Sequence, residues 1–173
     1  MLWSRSDAGL DISAFEIVDP EVCGPLKASD AYDWNETVLV YNIPAFKARQ
    51  DDLKDGRHKC EGRFLEFHAG SYSTYDEFRE NLAQMLDYAG CEEIWDRVLA
   101  GDKGLDEAPF IKLLNYADKE GVLGPKTCAS LAKDFRDFLP LAEQKLDAAS
   151  LDVYRHFLVA FELAACHGCV AFR

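Results

Sequence analysis

Apolar positions alternate with polar ones early in the chain and recur at helical spacing later, so strands are expected first and helices after them. Gly9 to Val18 (GLDISAFEIV) alternates and is rich in β-formers, which predicts a first strand. Thr37 to Ile43 (TVLVYNI) is β-branched and aromatic and is stopped by Pro44, predicting a second. Lys47 to Gly62 is dense in charge and contains Asp55-Gly56, so 47–62 reads as an exposed loop. Arg63 to His68 predicts a third strand, with Phe64 and Glu66 facing away from Leu65 and Phe67.

Beyond His68 the period changes to that of helices. Ser73 or Thr74 is the expected N-cap of a helix, Thr74 and Glu77 having capping-box spacing, and Phe78, Leu82, Met85 and Leu86 share one face. Glu92 to Ala100 predicts a second helix. Pro109 to Tyr116 leans to a short helix, and Ala117 to Gly124 reads as a turn-rich connector. Pro125 is well placed to open a helix, because its missing N–H costs nothing in a first turn. Leu131, Ala132, Phe135, Phe138 and Leu139 form that helix's stripe, broken at Pro140. A last helix is expected from Ser150 to Gly168, with a terminal strand over Cys169 to Phe172. The expectation is one α+β domain over 1–173, residues 1–8 forming a flexible lead. It has a small, mostly antiparallel sheet of three to four strands and four to five helices.

Composition narrows the function classes. The formal net charge is −12. Residues 1–87 carry 9 Lys/Arg against 17 Asp/Glu and residues 88–173 carry 10 against 14, so both halves are acidic. Such a field repels phosphate backbones and anionic headgroups, which argues against direct nucleic-acid or membrane binding and suits a basic protein partner. Its simplest alternative use is solubility. No apolar run follows Arg5 and no stretch is long enough to span a bilayer, so a cytoplasmic location is expected. In a reducing compartment the six cysteines are free thiols by default.

Candidate chemistry centres on Phe67 to Leu82 (FHAGSYSTYDEFRENL), where a strand hands over to a helix. Tyr72, Tyr75 and Phe78 could stack a planar ligand, with Arg79 for a phosphate or carboxylate; core packing and an Arg79 ion pair are the alternative. His68 with Ser71 or Ser73 lacks a nucleophile elbow and an acid partner. Asp118 and Glu120 lie on a glycine-flanked turn that could bind a cation, although it lacks EF-hand spacing. Cys166-His167-Gly168-Cys169 with His58 and Cys60 is the nearest approach to a zinc set (His58, Cys60, Cys166, Cys169). Its CxxC closes a helix instead of opening one, and chance cysteines in a half-buried terminus explain it better. No cofactor is expected.

GLDISAF, FHAGSYSTYDEFRENLA, LLNYADKEGVLGPKTCASLAKDF and AFELAACHGCVAFR, in that order, resemble a family of uncharacterised bacterial and phage proteins. Its members look like GLDI-x-A, then AGSYSGY-x-x-[WF]-R, then N-[FY]-[SA]-D-x-EG-x-[IL]-G with LAKDF, then AFELAA-x-x-G-x-V-x-F. The match covers most of the chain except Val18 to Arg63. The resemblance implies a shared fold and no particular reaction. It groups Gly70, Ser71, Tyr72, Tyr75 and Arg79 with Asn115, Asp118, Glu120, Gly121 and Gly124. This chain departs from the pattern at Cys166 and Cys169, which weakens zinc as a family property. The expected function is a non-enzymatic binding or inhibitory protein, of immunity or inhibitor type, in a bacterial or phage accessory system. The alternative is a small enzyme or ligand-binding protein with a Tyr72/Arg79 turn facing the Asp118/Glu120 turn.

Overall fold

A computed structural model describes residues 9–24, 35–41, 48–116 and 121–173. The strands are β1 (Gly9–Gly24), β2 (Thr37–Val40), β3 (Gly56–Ser71), β4 (Gly121–Leu123) and β5 (Cys169–Phe172). They form one antiparallel sheet in the order β2-β3-β1-β5-β4. The helices are α1 (Tyr72–Met85), α2 (Cys91–Leu99), α3 (Ile111–Leu114), α4 (Pro125–Asp137), α5 (Leu139–Lys145) and α6 (Ala148–Ala164). A 3₁₀ turn at Lys103–Leu105 lies between α2 and α3. The architecture is α+β, as the periodicity predicts, with five strands in place of three or four.

The extra strand is β4, inside what reads as a turn-rich connector. Three buried residues, Gly121, Val122 and Leu123, give too short an alternation to stand out, and pairing with β5 makes them a strand. The loop expected over 47–62 is corrected from Gly56 onward, where β3 begins. Gly56, His58 and Cys60 are buried while Lys59 and Glu61 face solvent, so the outward charges mask a period-two pattern. The long tail of β1 supplies the partner, Val18 facing Cys60 and Val22 facing His58. Register slips near Gly62, whose φ of 80° suits glycine, and one extra residue on β3 kinks the pair. Phe15 and Val18, three apart on β1, join the same apolar cluster.

The two sheet faces bury different things. Leu10, Ile12, Ala14, Val170 and Phe172 meet α1, α4 and α6 in the main core. Phe157 of α6 is its aromatic hub, its ring within 6.2 Å of those of Phe67, Tyr75, Phe78, Phe135, Phe161 and Phe172. The other face curls on itself until edge strands β2 and β4 approach one another. Phe15, Val18, Val38, Val40, Cys60, Val122, Cys169 and Ala171 fill that curl. Gly168 permits the last turn into β5: a Cβ there would lie 1.8 Å from the carbonyl oxygen of Phe15.

Candidate functional site

Ser71, not Ser73 or Thr74, caps α1, its Oγ accepting the Thr74 N–H at 3.2 Å. Gly70, at φ 93°, turns the chain so that the helix is capped three residues earlier than the Thr74–Glu77 spacing implies. The first turn of α1 therefore holds no acidic residue, and Asp76 and Glu80 do other work. Asp76 Oδ1 accepts from Arg79 at 3.0 Å, and Glu80 Oε2 accepts the Cys91 N–H at 2.9 Å, tying α2 to α1.

Tyr75 and Arg79 point inward from α1. Tyr75 is fully buried and Arg79 is 6% exposed. The guanidinium lies 5.4 Å from the Tyr75 ring centre and donates from Nη1 to the Leu114 carbonyl at 3.2 Å. Burial pushes the Tyr75 phenol well up, with Arg79 opposing. Next along, Asn115 offers its carbonyl to Arg49 Nη1 at 2.9 Å, and Arg49 lies 5.6 Å from the Tyr116 ring centre. Burial pushes the Arg49 guanidinium down to about 10, with Tyr116 and Tyr75 opposing. Arg49 went unnoticed in the sequence because it sits in the charged stretch beside β3. The phenol of Tyr75, Nε of Arg79 and Oδ1 of Asn115 are buried with no hydrogen-bond partner among the described residues. Tyr72 is half-buried against the main core. Asp118 and Glu120 lie outside the described residues, so the juxtaposition of the two turns does too.

His68 has an acid partner that the sequence did not reveal. Its Nδ1 lies 2.8 Å from Asp11 Oδ1 across the β1–β3 ladder, both side chains about half exposed. Ser71 is not its nucleophile: the Ser71 hydroxyl is shared with Ser73 Oγ and Thr74 Oγ1, each at 2.8 Å. The zinc candidates are held by other work. His58 is fully buried with both ring nitrogens 2.7 Å from backbone carbonyls, those of Asp19 and Lys54. Cys60 and Cys169 are buried in the curl and Cys166 is exposed at the end of α6. Burial pushes the Cys60 thiol up to about 12 and that of Cys169 well above its usual range. Among the described residues, no three His, Cys, Asp or Glu side chains are grouped to hold a metal ion. No described helix is long and apolar enough to cross a membrane.

The acidity, divided by element instead of by half, is uneven. Residues 72–107, spanning α1, α2 and the 3₁₀ turn, carry ten Asp/Glu against three Lys/Arg, a net −7 of the total −12. Of the three cations, Arg79 is buried on Asp76, and Arg97 is held by Asp102 at 2.9 Å and Glu93 at 3.6 Å. Asp76, Glu77, Asp87, Glu92, Asp96, Asp106 and Glu107 are exposed. A groove between α1 and α2 is bordered by Glu80, Glu92, Glu93 and Asp96.

No protein-family model, no curated protein and no solved structure matches this chain.

Proposed function

We propose that this chain is a non-enzymatic binding protein, of inhibitor or immunity type, that docks a basic protein partner on the acidic face of α1, α2 and the 3₁₀ turn. The observation that carries this reading is the concentration of charge: a segment of about a fifth of the chain holds more than half of its net negative charge. A one-signed surface attracts a cationic partner over roughly a Debye length, about 8 Å at physiological salt, and raises the association rate. The same field disfavours nucleic acid as the direct ligand. The side chains best suited to small-ligand chemistry, Tyr75 and Arg79, are buried and engaged with one another and with the α3 backbone.

Affinity capture from a bacterial lysate, at low and at high salt, tests the reading with two baits. One is the natural chain and the other is the fourfold variant Glu92→Gln, Asp96→Asn, Asp106→Asn, Glu107→Gln. A basic protein retained by the first bait at low salt, released by salt and absent from the second, is expected. Equal retention by both baits would overturn it.

A further inference from the structure

We infer that the curled face of the sheet holds a second, unrelated site: a cavity at the β2–β4 seam that takes a neutral, single-ring apolar molecule. The cavity has a volume of about 170 Å³ and is lined by Phe15, Val38, Tyr41, Val122, Ala171 and Arg173 among others. Its place follows from the topology. β2 and β4 are the two sheet edges, they approach each other, and among the described residues no ladder joins them. The space is left where the barrel-like curl fails to close.

Size and lining set the ligand class. An apolar cavity of about 150 Å³ has room for a benzene-sized molecule, whereas water needs two to four polar partners. Aromatic and branched aliphatic side chains dominate this lining, and Tyr41, 44% exposed, stands at the rim. Among the described residues the one charged liner is Arg173, and its charge is already answered. Its Nη2 lies 2.5 Å from Glu66 Oε2 and donates to the buried Ser13 hydroxyl, which also reaches Glu66 at 3.3 Å. Among the described residues, no carboxylate lines the cavity. An anionic ligand would have to compete with Glu66 for Arg173 and a cationic one would meet no counter-charge, so the favoured ligand is neutral.

Benzene, benzoate and indole, titrated separately into the full chain and followed by backbone amide shifts and melting temperature, test the site. Benzene is expected to move the amides of Val38, Tyr41, Val122 and Ala171 together and to raise the melting temperature. Benzoate should bind more weakly. Ala171→Ile, which fills the space from β5, should weaken benzene binding by about tenfold or more while the chain stays folded. Val122→Ala enlarges the cavity and should improve indole binding, which keeps the test informative if the filled variant misfolds. Absence of benzene-induced shifts, shifts scattered over the surface, or benzoate binding better than benzene would each overturn the inference.

Discussion

Replacing Arg79 distinguishes a core arginine from a ligand-binding one. In Arg79→Ala the Leu114 carbonyl loses a charged donor at 3.2 Å and the Tyr75 ring loses the cation 5.4 Å from its centre. A hydrogen bond to a charged group is worth about 1.5–3 kcal/mol. A largely desolvated cation–π contact adds about 1–2 kcal/mol. The Asp76 pair adds little, because that carboxylate side chain is 50% exposed and is rehydrated once released. The expected loss is about 2.5–5 kcal/mol, somewhat offset by removing the buried and unpartnered Nε. Urea unfolding should show it as a lower midpoint with an unchanged slope. Arg79→Lys should recover only part, since one ammonium cannot reach both the carbonyl and the carboxylate in the guanidinium's fixed geometry. A loss below about 0.5 kcal/mol for Arg79→Ala, the range of an ordinary surface change, would refute the structural role and return Arg79 to the ligand candidates.

Other positions carry equally direct tests. Phe157→Ala removes the aromatic hub and should cost about 3–5 kcal/mol in the same unfolding assay, the usual cost of deleting a core phenylalanine. Asp51→Ala should lower the unfolding free energy by about 1–2 kcal/mol, because its carboxylate caps α4 by accepting the Thr127 N–H at 3.0 Å. In the native state a thiol-alkylating reagent followed by mass spectrometry should label Cys23 and Cys166 first, with all six cysteines reacting only after denaturation. Cys60 and Cys91 have folded-state pKa values raised to about 12 and about 11, chiefly by burial, against an ordinary thiol value of 9.0. The folded state therefore holds those protons more tightly. The thiol contribution to stability should be level below pH 9 and fall as pH rises beyond it, measured by urea midpoint against pH; a rise above pH 9 would contradict the assignment.

Much of this architecture was legible in the sequence because it rests on local patterns. The α4 start at Pro125, the α6 stripe through Tyr154, Phe157 and Phe161, and the terminal strand over Cys169 to Phe172 all follow from spacing. What escaped depends on partners far away in the chain. Gly56 to Gly62 is a strand only because β1 runs on past Pro20 to meet it, and β4 exists only because β5 lies beside it. The Ser71 cap was missed for a different reason: Thr74 and Glu77 offered a better pattern, and the backbone turn at Gly70 overrode it. At the candidate site, the sequence grouped Tyr75 with Arg79 as ligand candidates on one segment, and the two do meet. It gave no sign of Arg49 or of the Asp11 partner of His68, because cross-strand and loop contacts leave no periodic trace. Counting charge by halves hid the acidity of 72–107, which becomes visible only when charges are assigned to elements.

Hydrogen exchange of the chain, alone and with any basic protein retained in the affinity capture, tests the proposed acidic face most directly. Slowed exchange confined to residues 72–107, lost with the fourfold neutralised variant, is the result this account predicts. Slowed exchange on β1, β2 or β5 with 72–107 unchanged would contradict it.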